Sequence, residues 1–362
     1  MAIPNSPPRC ERNAVPFTWY VTCGMPAYAV LAQVRFDRTF TELDAILEAY
    51  TRGFARAREL FGPEVRYDGP GWPGISYSHV NGLGAPLLFP VNSEVGMEPI
   101  HHSLRQGIAA LEQPTDWATA GMMPFYLDLW RRLKQARPDL TIPFRGCGLE
   151  GPITTAWELR GHDFFTDAYD DPDRYHVYLD LVTRSIVDYA VFLRRINGEP
   201  ERLSAALGMC DDISAMLSPA HWVDWVLPYQ ELYFALQTDG PRHAHIEGFV
   251  PDHLPFLDQL GLAEFDPSVS PRLRARDLRD RCAVPFFWRL NAMQLRDFSD
   301  QQIRHYLFSG VADGASGVFL NIHRDTLGDT AVHKIHIFMQ TARDIAAHLE
   351  DGGQRDRLME AI

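Results

Sequence analysis

From about residue 141 to its end the chain alternates short apolar, strand-like runs with longer amphipathic helical ones, and this rhythm constrains its fold more than any other feature. Thr141–Gly148, Leu203–Met209, Arg242–Ile246, Val284–Leu290 and Gly317–Ile322 read as strands. Helices are expected between them. One runs from about Asp171 to Ile196 with Pro172 in its first turn, and one from the Ser218 cap, with Pro219 next, to about Gln237. Others run from Pro251 to Leu260, from the Ser299/Gln302 capping box onward, and from about Thr330 to Leu349.

Upstream, Thr39 and Glu42 have capping-box spacing ahead of a periodic apolar stretch ended by Gly62, which predicts a helix. Residues 63–103 read as loops with short strands, and 114–136 as a helix stopped near Pro138. Strands alternating with helices imply a parallel sheet with right-handed crossovers. No Gly-rich dinucleotide turn follows any strand, and the number of alternations favours an α/β fold of the (β/α)8 TIM-barrel type over an open sheet. The 362 residues are compatible with two domains of ordinary size. The rhythm predicts instead one barrel over 17–362, preceded by a flexible Pro-rich arm at 1–16.

A formal charge of −13 argues against nucleic acid as a partner, because phosphates need a basic face. No apolar run approaches the ~18 residues needed to span a membrane, and the N-terminus lacks the apolar core of a signal peptide. The five cysteines are odd in number, scattered and free of CxxC spacing. That is the pattern of reduced thiols, and it predicts a cytoplasmic protein.

In a barrel, chemistry gathers at the carboxyl ends of the strands. The richest such end is Arg242–Gly248, RHAHIEG, where His243, His245 and Glu247 fall on one face of a strand by its period of two. Imidazole beside carboxylate suits a divalent metal, with His323 after the last strand as a third donor. The alternative is a polar rim whose members hydrogen-bond to one another, with His243 turned outward. Asp211 and Asp212 follow another strand as general acid/base candidates or as caps. Glu150 precedes a Gly-Pro turn, as a site group or as support for the turn. No GxSxG nucleophile is present. The aromatics Trp222, Trp225, Tyr229 and Tyr233 read as core, and Arg272–Arg281 as a solvated face.

GPITTAWELRG with the following DAYDDPDRYH, then DDISAMLSPAHWVDWVLPY, HIEG and the closing strand and helix from Gly317 together resemble the uroporphyrinogen decarboxylase superfamily. That superfamily includes the zinc-dependent methyltransferases of corrinoid systems. The resemblance runs from about Phe17 to the C-terminus and implies a (β/α)8 barrel. The decarboxylases carry arginines in an early segment that grip substrate carboxylates, and an Asp that contacts pyrrole NH groups. Phe17–Tyr28 has no arginine and Ile75–Gly84 no aspartate, so true porphyrinogen decarboxylation is not expected.

The methyltransferase branch binds zinc through His-x-Cys and a later Cys. Here His245-Ile246-Glu247 stands at the first motif and His323 near the second, with both thiolates replaced. The resemblance therefore implies a metal-dependent methyltransferase-like enzyme. A divalent metal (zinc, with iron as the alternative for a two-His, one-carboxylate set) would sit on His245, Glu247 and His323. Asp211, Asp212 or Glu150 would act as acid/base groups, and Arg160, Arg324 and Tyr77 would contact a small-molecule substrate. A corrinoid carried on a partner protein and a homodimer are further expectations. The alternatives are a decarboxylase or lyase acting on a small carboxylate, and a non-catalytic binding barrel.

Overall fold

The computed structural model describes residues 15–361; the expected arm at 1–16 lies, except for its last two residues, outside them. The chain forms two compact units. The first comprises 15–33, Glu48–Asp68 and 242–361, and the second Val34–Leu47 and Gly69–Pro241.

The first unit is built on parallel strands. Arg242–His245 pairs with Leu262–Asp266, and the Phe265–Phe286 bridge leads to Phe287–Arg289. That strand pairs with Gly317–Ile322, which in turn pairs with Thr18–Cys23, and Arg66–Tyr67 follows. Gly317–Ile322 is buried along its length apart from half-buried Asn321, as expected of a parallel strand covered on both faces. Gly317 is required by close packing: a Cβ there would stand 2.4 Å from the Thr18 carbonyl oxygen and 2.5 Å from the Phe287 ring. Helix Ala331–Glu350 turns Ile335, Phe338, Met339, Ala342 and Ile345 into the core at helical spacing. Helix Met25–Ala32 meets a π-turn at Ala49–Gly53, where a Cβ on Gly53 would fall 2.1 Å from the Tyr28 carbonyl oxygen.

The second unit is mostly helical around Pro172–Asn197, which is capped by Asp171 and ended by Gly198 in the left-handed region (φ 69°). Tyr175, Tyr178, Leu179, Val182, Ile186 and Tyr189 form its buried face. Helices Met123–Ala136, Pro152–Arg160 and Leu227–Gln237, strand Leu207–Cys210 and a short antiparallel pair, Leu87–Leu88 with Gly96–Met97, complete its main elements.

Several boundaries differ from the sequence expectation, each for a local reason. Thr39 does not cap a helix. Its hydroxyl donates to the Phe36 carbonyl inside a 3-10 turn, Phe36–Phe40, and the α-helix starts at Leu43. Thr141–Gly148 is an irregular segment with one parallel bridge, Ile75–Cys147, because Pro143 lacks a donor and Gly146 takes φ 95°. The helix expected from Ser218 to Gln237 breaks at Val226 (φ −121°), since Pro228 cannot continue the hydrogen-bond ladder. The helix expected from 114 begins only at Met123, with Pro124 in its first turn. Among the described residues the cysteines Cys23, Cys147, Cys210 and Cys282 are not in disulfides. Among the described residues no helix is long and apolar enough to cross a membrane.

Candidate functional site

Alternation along the strands of the first unit sets one polar row. His243 and His245 share a face of their strand and register opposite Glu264 and Asp266. Arg289 falls on the same face of the next strand, over the Phe319 ring at 5.9 Å. Tyr20 stacks on Phe319 at 5.0 Å, Arg66 lies 4.7 Å over Tyr20, and the Thr22 hydroxyl donates to Asn321 Oδ1 at 2.8 Å.

The centre of the row is the His245–Asp266 pair, Nδ1 to Oδ2 at 2.7 Å. That bond directs the other ring nitrogen, Nε2, toward Glu247 Oε1 at 3.7 Å. Ser268 ties the neighbours together. Its backbone N–H donates to Asp266 Oδ1 (2.8 Å), its hydroxyl donates to Glu247 Oε1 (2.6 Å), and Arg289 Nη1 donates to the same hydroxyl (2.6 Å). Ser268 holds a left-handed φ of 39°, a strained state for a residue with a side chain, in keeping with a constrained site.

Electrostatics around the row follow from burial. Burial raises the Tyr20 phenol well above its ordinary value, helped by Asp266 and Glu264 and opposed by Arg66 and Arg289. It also raises Glu264, against the pull of His243. His323 is lowered by burial, with Asp325 opposing and Arg324 and Arg289 assisting, so its ring is neutral at neutral pH. Asp68, raised by burial, occupies the space a Cβ on Gly24 would need.

The second unit holds a different cluster. Asp211 is fully buried and accepts from the Ile153 and Thr154 N–H groups at 3.0 and 2.8 Å, capping helix Pro152–Arg160 from a distant part of the chain. Gln230 Nε2 donates to its other oxygen at 2.8 Å. Burial nonetheless pushes the Asp211 carboxyl up to about 6. On the capped helix Glu158 is 3% exposed, and burial, then Glu150 and Asp211, hold its carboxyl well above the carboxylate range.

The residues singled out from sequence are thus placed as follows. His245 and Glu247 come together, with Asp266 behind the histidine. His323 ends its strand with Nδ1 3.6 Å from Asp325 and its backbone N–H on Thr326. Among the described residues no group of three or more His, Cys, Asp or Glu side chains converges as a metal-binding set. His245 and Glu247 supply two donors, and Glu247 already accepts from Ser268, so the donors as arranged do not fit a closed divalent-metal site. Arg324 stands 3.4 Å from Asp325. In the second unit Asp211 is the helix cap, and Asp212 opens the 3-10 turn Asp212–Met216. Glu150 and half-buried Tyr77 lie in the electrostatic surroundings of Glu158, the phenol being raised by burial and then by both carboxyls. Arg160 is half-buried and held by Asp167 (2.7 Å), Asp163 (3.0 Å) and the His101 carbonyl oxygen (3.2 Å).

Sequence reasoning missed Arg289, Ser268 and Glu158. Arg289 had a signal, one cation in the otherwise apolar strand VPFFWRL. Glu158 gave no signal, being a lone carboxylate in the run GPITTAWELRG.

Comparison with known proteins places this architecture. The family profile described as uroporphyrinogen decarboxylase matches residues 80–345. Among solved structures, a methyltransferase from Methanosarcina mazei superposes with a TM-score of 0.65 at 14% identity, covering 91% of this chain and 94% of that one. A B12-independent methionine synthase from Shewanella sp. W3-18-1 gives 0.41 at 12%, covering 66% and 70%. No curated protein sequence matches. The fold class is the α/β, (β/α)8 barrel type, as the alternation predicted. On the extent of the profile match, the chain belongs to the uroporphyrinogen decarboxylase family.

Proposed function

We propose that this chain is a methyl-transferring enzyme whose proton chemistry is centred on His245. The carrying observation is the His245–Asp266 pair at 2.7 Å, at the carboxyl ends of two paired parallel strands, with Nε2 directed toward Glu247. The methyltransferase whose fold this chain shares supports the reaction class. Asp266 holds Nδ1–H and stabilises the imidazolium, so Nε2 would take the proton the acceptor loses as the acceptor's lone pair forms the bond to the methyl carbon, the electron pair of the broken carrier–methyl bond staying with the carrier. Ser268 and Arg289 hold Glu247 beside the ring, where its charge favours that imidazolium. A partner-borne corrinoid is the methyl carrier of this reading. His323, its ring lowered by burial, lies in the electrostatic surroundings of Arg289 and Arg324.

The test is loss of the methyl–cobalt absorbance of methylcobalamin when purified enzyme meets a panel of thiol, phenol and amine acceptors. Wild type is expected to turn over at least one acceptor, and His245→Ala and Asp266→Asn to lose about 100-fold or more of that rate. Unchanged rates in both variants would defeat the assignment. Metal analysis of the same preparations tests the donor arrangement: a stoichiometric zinc or iron lost in both His245→Ala and His323→Ala would contradict the reading that Glu247, held by Ser268, does not join these histidines in a metal site.

A second reading, a decarboxylase or lyase acting on a small carboxylate, is favoured by Arg289, whose Nε is buried with no hydrogen-bond partner. Carbon dioxide release from a carboxylate panel, abolished by Arg289→Met, would support that reading over methyl transfer.

A further inference from the structure

In the first unit a cleft of about 440 Å³ opens between the start of helix Ala275–Arg281, helix Asp300–Ala312 and the loop that carries Ser268. That volume is in the range of small-ligand sites. Strand alternation explains its floor. Phe287 and Arg289 turn to the face of the polar row, so Trp288 between them points the other way, into the cleft. Its indole stacks on the Tyr306 ring at 5.7 Å and 26°, and lies over Gly310, where a Cβ would come within 2.6 Å of it. Both rings line the cleft and are only half-buried, and Met293 beside them is 52% exposed. A pair of adjoining rings on the floor of an open cleft offers a surface for a third.

The charges around the cleft fix the sign of its ligand. Arg274 is committed to Asp277, Nη2 to Oδ1 at 2.8 Å and Nε to Oδ2 at 3.0 Å, and Asp313 accepts from Arg279 at 3.3 Å. Arg276 lines the same cleft with no hydrogen bond or ion pair among the described residues. Asn291 Oδ1 accepts from the Gln294 N–H at 3.0 Å, and its Nδ2 has no acceptor among the described residues. The acidic lining residue is therefore neutralised, while a guanidinium and an amide donor remain to be satisfied. An anion matches these donors, and the planar guanidinium suits a carboxylate.

We propose that this cleft binds a planar aromatic monoanion of the aryl carboxylate class. Its ring lies against Trp288 and Tyr306, and its carboxylate pairs with Arg276, with Asn291 Nδ2 as a further donor. Ser268, which holds Glu247, also lines the cleft, so the ligand adjoins the loop behind the polar row. Binding is measured without turnover, and the proposal does not rest on the reaction assigned to His245.

Calorimetric titration of the full chain with benzoate, phenylacetate and indole-3-acetate tests it. Benzamide is the neutral control and cyclohexanecarboxylate the saturated one. At least one aryl carboxylate is expected to bind, benzamide about tenfold or more weakly by comparison, and cyclohexanecarboxylate at least about threefold more weakly. Arg276→Gln should weaken the aryl carboxylate about tenfold or more, and because Arg276 is exposed the variant keeps the wild-type melting temperature. Trp288→Leu tests the ring contact. If it does not fold, the comparison of benzoate with cyclohexanecarboxylate on wild type decides that point. Absence of binding by all three aryl carboxylates, equal binding of either control, or full affinity in Arg276→Gln would overturn the proposal. Affinity lost in Arg289→Met but kept in Arg276→Gln would move the anion to the polar row and overturn it too.

Discussion

Asp211 illustrates how one side chain is read differently from sequence and from structure. As half of an Asp-Asp pair after a strand it suggested acid/base chemistry, yet both of its oxygens are taken, one by two helix N–H groups and one by Gln230. Its carboxyl sits at about 6 instead of 3.8 because burial outweighs those bonds. A carboxyl raised in the folded state binds its proton more tightly there. Its contribution to stability is full below about pH 4 and is lost as pH rises through about 6. Asp211→Ala removes the cap and should cost about 1–3 kcal/mol in urea unfolding. Asp211→Asn should be near neutral at pH 8. Gln230 Oε1 is buried without a partner, so a turned amide can accept from the new Nδ2 while Oδ1 keeps the helix. A loss in Asn as large as in Ala would contradict this account.

At the scale of elements, the last strand, Gly317–Ile322, coincides with the segment read from its apolar run, and the helix after it begins within one residue of the expected start. Buried parallel strands and long amphipathic helices carry their own signal. Helix Pro152–Arg160 did not, because its β-branched and aromatic residues look strand-like and its cap, Asp211, lies 58 residues from the Ile153 N–H it accepts from. The strand Thr18–Cys23, TWYVTC, does alternate, with Trp19, Val21 and Cys23 on one face and Thr18, Tyr20 and Thr22 on the other, but its six residues stand apart from the strand–helix rhythm that begins near residue 141. The candidate site was legible at His245 and Glu247, where the residue types are rare, and illegible at Ser268, whose role rests on a backbone angle. Gly317 offers an element-scale test. Gly317→Ala drives a Cβ into the Thr18 carbonyl and the Phe287 ring, and should lower stability by about 2 kcal/mol or more in thermal unfolding. A shift within about 0.5 kcal/mol would mean that the strands separate readily.

For the molecule as a whole, buried ionisable groups set an acid–base balance. Burial lowers His79 to about 3 and His101 to about 4. Groups lowered in this way stabilise above 6.5, and that stability is lost as pH falls from 6.5 toward those values. Glu158 and Asp211, both raised, act in the opposite sense, gaining stability as pH falls. Wild type should therefore change little in melting temperature between about pH 5 and 6. Glu158→Gln removes one opposing group and should become steeper on acidification by about 1.4 kcal/mol per pH unit in that window. Parallel curves for wild type and Glu158→Gln would show that Glu158 is ionised in the folded protein.

The first strand, Thr18–Cys23, has its neighbours at opposite times of synthesis. Arg66–Tyr67 follows it closely, whereas Gly317–Ile322 arrives last, and the Thr22–Asn321 hydrogen bond spans 299 residues. At about 5–20 residues per second, one edge of this strand waits roughly 15–60 s on the ribosome for its partner. A growing chain of this kind must keep an adhesive edge from pairing elsewhere for most of its birth, and that exposure is a demand on the cell that the finished molecule no longer shows.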